Sequence, residues 1–460
     1  MSAIGPQTWW ARARSTLSKP EDGASLAVFR ICFGVLLADE IIFKFRVGKI
    51  KELYAPTFNF KYHFFEWVGT PDKSTSYALH IALIALALLV ALGAFYRVSA
   101  WLLCGLLSYY FLAERTLYIN HIYLYCLLAG IMASAPANSM LSIDAHLGRV
   151  SPARRERTPR WSLWLLRFQM GVVYSYAGLA KLNSDWLQGS PLNLWLPARL
   201  GPDHWLLFDE LPLLMSWGGA AFDLLVTPLL LWRKTRVFAF AWAAAFHLLN
   251  ANIFGIASFP WMSLSLTTLF FDPSWPRQRL LNRARPPRRK RPPKAMGNFG
   301  LATLLSYVLV QVVLPMRPWF YPGTASWTEE GHEFSWHMML RAKDGQPVFS
   351  LVFPDGSKRV ADPLEHITKR QLSRVATRPD LIHQFALFLA DEHESRGLGR
   401  PKVFVDVRLS YNGRPPVPLI DPNVDLAAEP RTLGAASWMM PAPSGPPARG
   451  LASKEAENYD

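Results

Sequence analysis

The sequence predicts a mainly α protein: a polytopic helical membrane bundle of about nine spans, followed by a C-terminal extramembrane α+β domain. Three observations predict it. Of the 460 residues, 51% are hydrophobic and only 18% are charged, against about 25% charged in ordinary globular chains. The apolar residues are clustered in runs that approach the roughly 20 residues a helix needs to cross a bilayer. The formal charge of +15 is concentrated in short segments between those runs. Disorder is excluded by the 18 Trp and 28 Phe, since disordered chains are poor in such residues.

The candidate spans, in order, are 25–43, 77–95, 98–113, 118–135, 162–180, 212–232, 237–254, 258–271 and 298–316. The third and eighth are short, and Pro260 interrupts the start of the eighth, so either is open to a tilted or re-entrant reading. The first begins too late for a signal peptide and has no small-residue cleavage site. Basic residues set the expected orientation. With the N-terminus (Arg12, Arg14, Lys19) in the cytoplasm, four further basic sites fall inside: Arg97, the five in 149–160, Arg233-Lys234-Arg236, and the nine in 277–294. One loop dissents, with Lys44, Arg46, Lys49 and Lys51 outside. Basic clusters laid out between spans are cytoplasmic loops rather than a nucleic-acid reading face.

Residues 317–440 read as α+β. Pro347–Phe353 and Lys358–Ala361 flank Pro354-Asp355-Gly356-Ser357, which is hairpin punctuation. Asp380–Glu394 places Leu381, Phe385, Phe388 and Leu389 on one helical stripe. Lys402–Tyr411 alternates as a strand and ends at an Asn412-Gly413 turn. The organisation expected is a cytoplasmic segment 1–24, a transmembrane domain 25–316, an outer domain 317–440 and a disordered tail 441–460.

Several chemistries have no motif here: no phosphate loop, no H-E-x-x-H and no Gly-x-Ser-x-Gly elbow. No metal site is expected. Cys32, Cys104 and Cys126 all lie in apolar runs, and Asp391-Glu392-His393-Glu394 reads as a solvated helix face. What remains are polar groups at the outer edge of the bilayer. Lys181 closes the fifth span. It is either a snorkelling lysine or a desolvated amine able to act as a base. Asn120-His121 open the fourth span, either as an interfacial cap or as an amide and imidazole aimed at a ligand. His247 and Asn250 share a face of the seventh span. Arg30, Arg167, Gln169 and Asp223 lie within spans and are expected to pair with one another.

The stretches Leu26–Gly34, Asn120–Tyr125, Ala177–Trp186, Trp217-Gly218-Gly219, Phe246–Asn250, Phe334–Met339, Val405–Ser410 and Asp421–Asp425 together resemble the vitamin K-dependent γ-glutamyl carboxylase family, within the broader HTTM-domain group. The resemblance covers roughly residues 25–440. It implies oxidation of a vitamin K hydroquinone or menaquinol by O2, coupled to carboxylation of peptide glutamate by CO2. It places the catalytic lysine on Lys181 and the family's Asn-His pair on Asn120 and His121. Asp185, Trp186, His247, Asn250, His332, Trp336, Met338 and Met339 would bind quinol and substrate. Asn183 stands where the family has its first Asp, and His332 where it has a tyrosine. The family's animal members also continue beyond this chain. No Asn-x-Ser/Thr acceptor occurs, so a compact bacterial-type homologue in an inner membrane, with its site facing the periplasm, is the simplest expectation. The expected partners are lipid, a membrane quinol and a peptide or protein glutamate. A quinol-dependent enzyme with a different acceptor is one rival reading. A non-enzymatic scaffold or transporter is the other, although no inverted repeat supports a transporter.

Overall fold

The computed structural model describes residues 6–256, 258–284 and 295–447. Its chain order begins with α1 (Pro6–Leu17), strand β1 (Pro20–Asp22), α2 (Ala24–Arg46), α3 (Lys73–Leu92), α4 (Tyr96–Ala113) and α5 (Asn120–Ser134). Strand β2 (Arg157–Pro159), α6 (Arg160–Lys181), α7 (Leu192–Leu200), α8 (Leu211–Leu231), α9 (Arg236–Phe254), α10 (Phe259–Thr268) and α11 (Asn298–Val313) follow. Each of the nine predicted apolar stretches is therefore helical.

Four of the nine expected spans are shown. Among the described residues four helices are long and apolar enough to cross a membrane: Lys73–Leu92, Leu211–Leu231, Arg236–Phe254 and Asn298–Phe320. The physical reasons are visible in the others. Helix α2 carries Arg30, Asp39, Glu40 and Lys44, and α6 carries Arg160, Arg167 and Lys181. Helix α5 has 15 residues and α10 has 10, short of the roughly 20 a bilayer requires. The four spans leave apolar side chains such as Phe238, Leu249, Phe299 and Leu309 exposed, as lipid-facing surfaces do.

The interior polar residues do not pair with one another as expected. Arg30 is fully buried but donates to backbone carbonyls, those of Ala91, Ala137, Met140 and Leu141. Ala91 lies in the last turn of α3 and the other three lie in the loop after α5, where carbonyls lack intrahelical donors. Arg167 does the same for Leu269 and Phe271. Gln169 accepts from the Tyr307 hydroxyl at 2.5 Å. Asp223 alone meets a charge, and it is Lys181.

Close helix packing depends on glycine at two positions. A Cβ on Gly34 of α2 would lie 2.4 Å from the Ala87 carbonyl oxygen of α3, and one on Gly178 of α6 would lie 2.8 Å from Leu224 of α8. The first obstacle is backbone, which cannot rotate away. Gly34→Ala is expected to destabilise the protein by about 1–3 kcal/mol, the usual cost of overpacking, read as a lower unfolding temperature in detergent.

The C-terminal region is α+β, as predicted. Strands β3 (Lys343–Asp344), β4 (Pro347–Val352), β5 (Lys358–Ala361), β6 (Lys402–Tyr411) and β7 (Val417–Pro418) form an antiparallel sheet of order β3-β6-β4-β5, with β7 paired to β6. The hairpin pairs Phe349 with Ala361 and Val352 with Lys358. Along β6, Val403, Val405, Val407 and Leu409 are buried while Asp406 and Arg408 face out, the period-two pattern of a half-buried strand. Helices α12 (Lys369–Val375) and α13 (Pro379–Ser395) lie against this sheet, with Leu381, Ile382, Phe385 and Leu389 of α13 in its core. At the Asn412-Gly413 turn both residues have positive φ. The expected tail lies outside the described residues from position 448 onward.

Candidate active site

The helical bundle and the α+β region close over a cavity of about 630 Å³, within the size range of small-molecule sites. Its walls bring together Asn120, His121, Lys181, Trp186, His247, Asn250, His332, Met338 and Met339. These come from α5, α6, α9, the segment after α6, and the segment before β3, so residues far apart in sequence share one chamber. Two of the predicted residues do not line it. Asp185 is held by both guanidinium nitrogens of Arg414 at 2.7 Å and by Asn412 at 2.8 Å. Trp336 is fully buried and stacks on Tyr123, with ring centroids 5.1 Å apart. Both therefore tie the bundle to the segment that follows it instead of facing the cavity.

Lys181 is neither a snorkelling nor an isolated amine. Its Nζ lies 2.6 Å from Asp223 Oδ2, both side chains are under a tenth exposed, and the ammonium sits 5.2 Å from the Trp186 ring centroid. Trp186 is itself fixed by its indole N–H donating to the Ser216 carbonyl at 2.8 Å. Two turns before Lys181 on α6, the Tyr174 hydroxyl lies 2.7 Å from His247 Nε2.

His121 Nε2 faces Glu40 Oε1 at 3.2 Å, and Ser258 Oγ donates to the other Glu40 oxygen at 2.7 Å. Glu40 is 2% exposed and also has Lys44 at 3.8 Å. Held this way, the imidazole directs Nε2 at the carboxylate and leaves Nδ1 for the cavity, because the bond made by one ring nitrogen sets the role of the other. Asn120 donates to the His337 carbonyl at 3.1 Å and accepts from the Tyr118 hydroxyl at 3.0 Å. Tyr118 in turn accepts from the Phe334 amide at 2.7 Å. The start of α5 is thus stitched to the segment carrying Met338 and Met339.

The wall supplied by the α+β region is cationic. Arg341 forks onto Glu329 with both contacts at 2.5 Å, and its remaining nitrogen meets His332 Nε2 at 2.5 Å. Lys343 donates to the same Glu329 at 2.7 Å. Burial opposes ionisation of Glu329, but Arg341 and Lys343 outweigh it and hold the carboxyl well below the usual range. Burial and then Arg341 pull His337 down to about 4 and His332 well below its ordinary value. Both imidazoles are neutral near pH 7.

Asp223 was legible as a polar residue inside a span but not as the lysine's partner. Glu40, Tyr174, His337, Arg341, Arg374 and Arg378 had no role in the sequence reading. Glu40 did leave a signal, a carboxylate inside an apolar helix, which is costly unless it is partnered. Asp391 and Glu394 pair with Arg400 at 2.5 and 2.9 Å on an exposed face. No group of three or more metal-ligating side chains occurs among the described residues.

The fold and the cavity define an integral membrane protein in which a helical bundle and an α+β domain jointly enclose a largely apolar pocket with polar groups on its wall. Two family models match it: the HTTM domain over residues 18–275, and the lumenal domain of vitamin K-dependent gamma-carboxylase over residues 296–445. The chain belongs to the vitamin K-dependent gamma-carboxylase family. No solved structure matches it.

Proposed function

We propose that the protein is a quinol-dependent peptidyl-glutamate γ-carboxylase and that the Lys181–Asp223 pair is its base. The observation that carries this is a buried amine–carboxylate pair 2.6 Å apart on the wall of a largely apolar cavity. A reduced naphthoquinone fits such a chamber. Leu192, Met215, Trp242, Phe246 and Phe259 offer apolar contact, and Gly218 and Gly219 leave the wall open where a side chain would intrude. Quinol and O2 supply the driving force: hydroquinone, O2, CO2 and a glutamyl C–H give the epoxide, water and γ-carboxyglutamate.

The pair takes a phenolic proton as a unit: Lys181 passes a proton to Asp223 across their 2.6 Å contact, and the neutral amine so formed accepts the proton of the quinol. His121, oriented by Glu40, and Asn120, oriented by Tyr118, hydrogen-bond the quinol oxygens. The apolar walls exclude water that would otherwise quench a strong base. Nine spans with the site on the outer side is the arrangement that the basic loops favour, and a bacterial inner membrane with a periplasmic site is the setting we propose for it.

The test is turnover in detergent with vitamin K hydroquinone or menaquinol, O2, labelled bicarbonate and a glutamyl peptide. Quinone epoxide and fixed label are the expected products. Epoxide without label replaces carboxylation by another acceptor reaction, and neither product overturns the enzyme reading. Within the same assay Glu40→Gln is expected to lower kcat about 10–100-fold, the usual cost of losing a carboxylate that orients a working histidine, with KM for quinol nearly unchanged. An unchanged kcat would remove Glu40 from the site's support.

A further inference from the structure

Arg374, in α12, lines the same cavity as Lys181. Among the described residues its guanidinium makes no hydrogen bond or ion pair, and it is not one of the residues with further partners. The surrounding carboxylates are already engaged. Glu329 serves Arg341 and Lys343, and Glu333 serves Arg115 and Arg378 at 3.0 and 3.1 Å. Each of Arg341's three nitrogens already has a partner, Glu329 or His332. Burial, and then Arg378, pull the Arg374 guanidinium down to about 9. The side chain is half-buried, and a cation withdrawn from water is costly to the degree that nothing pairs with it. This one has Arg378, Arg370 and Arg341 around it, its nearby carboxylate Glu329 is already paired with Arg341 and Lys343, and it opens on a chamber.

We propose that Arg374 is an anion seat in the cavity wall, and that the anion it receives is a free carboxylate. A planar guanidinium pairs bidentately with a planar carboxylate, and such a ligand supplies the charge this wall lacks. The inference deepens the proposed function and rests on it for the ligand's source, which is either the acceptor's glutamyl side chain or bicarbonate. A glutamyl carboxylate seated there brings its adjoining methylene into the chamber that Lys181 lines.

The full chain in detergent, without quinol, is followed by thermal unfolding with three separate additions: a short glutamyl peptide, the matched glutaminyl peptide, and sodium bicarbonate. The glutamyl peptide is expected to raise the unfolding temperature of the wild type and the glutaminyl peptide to leave it unchanged. Arg374→Gln is expected to abolish that shift, and Arg374→Lys to retain part of it. Without ligand, Arg374→Gln is expected to unfold no lower than the wild type, because a half-buried charge without a partner has gone. A shift with bicarbonate alone, lost in Arg374→Gln, supports the seat and assigns it to bicarbonate. Equal shifts with both peptides, no shift with any carboxylate, or a ligand-free Arg374→Gln that unfolds lower than the wild type each overturn it.

In turnover, Arg374→Gln is expected to raise KM for the glutamyl peptide by about tenfold or more, the loss of one charge-assisted pair, with KM for quinol unchanged. The unfolding measurement needs no catalysis. A chain that binds the carboxylate but forms no product therefore sinks the proposed activity and leaves the seat standing.

Discussion

Lys181→Ala is expected to eliminate quinol oxidation, with a loss of about 10³-fold or more in kcat, and carboxylation should fall with it. The amine is the proposed proton acceptor, and proton transfer by a positioned side chain commonly contributes about 10²–10⁴-fold. Truncation also strands Asp223, which is 4% exposed on a membrane helix and has no other ion-pair partner among the described residues. Folding must therefore be checked separately. Lys181→Met together with Asp223→Leu removes both charges and is expected to restore stability without restoring turnover. Epoxide formation measured by mass spectrometry decides the matter. Full epoxide yield from folded Lys181→Ala would end the case for this lysine as the base.

The second large effect is one of stability. Asp185→Ala is expected to cost about 3–5 kcal/mol, because it leaves Arg414 buried with its counter-charge removed. Arg414 is 7% exposed, and its two contacts to Asp185 are both 2.7 Å. Asn412 loses its acceptor in the same substitution. These bonds join the turn after α6 to the turn after β6, so their loss loosens the seam between bundle and α+β domain. Thermal unfolding in detergent reads the effect. Asp185→Leu combined with Arg414→Met is expected to recover most of the lost stability, since replacing a whole buried pair by apolar groups is often neutral. KM for quinol should change little in any variant that folds. A marked rise in KM at unchanged stability would instead return Asp185 to the ligand-binding set.

Much of the cavity was legible in the sequence because its residues carry local signals. A lysine ending an apolar run, an Asn-His pair opening one, and a histidine and asparagine one helical turn apart stand out by position alone. The strands of the α+β region were legible for a similar reason. Alternation along Lys402–Tyr411 and the Pro354–Ser357 turn specify period and register within a few residues. Asp185 and Trp336 lie off the cavity wall, because belonging to a motif says nothing about which way a side chain turns. Trp336 is adjacent to His337, yet His337 faces the cavity and Trp336 packs on Tyr123.

By itself, the sequence determined the class of protein: helices rich in apolar residues, an α+β region after them, and polar groups gathered at one end of the bundle. Apolar runs and strand alternation are local patterns, and burial of apolar surface is enough to enforce them. Tertiary structure alone decided the pairings. Lys181 meets Asp223 across 42 positions, His121 meets Glu40 across 81, and Arg414 meets Asp185 across 229. A buried charge seeks whichever partner the fold brings near, and separation along the chain carries no record of that choice. Arg374 is the same rule in its opposite outcome, a charge lining the cavity to which the fold brings no partner among the described residues.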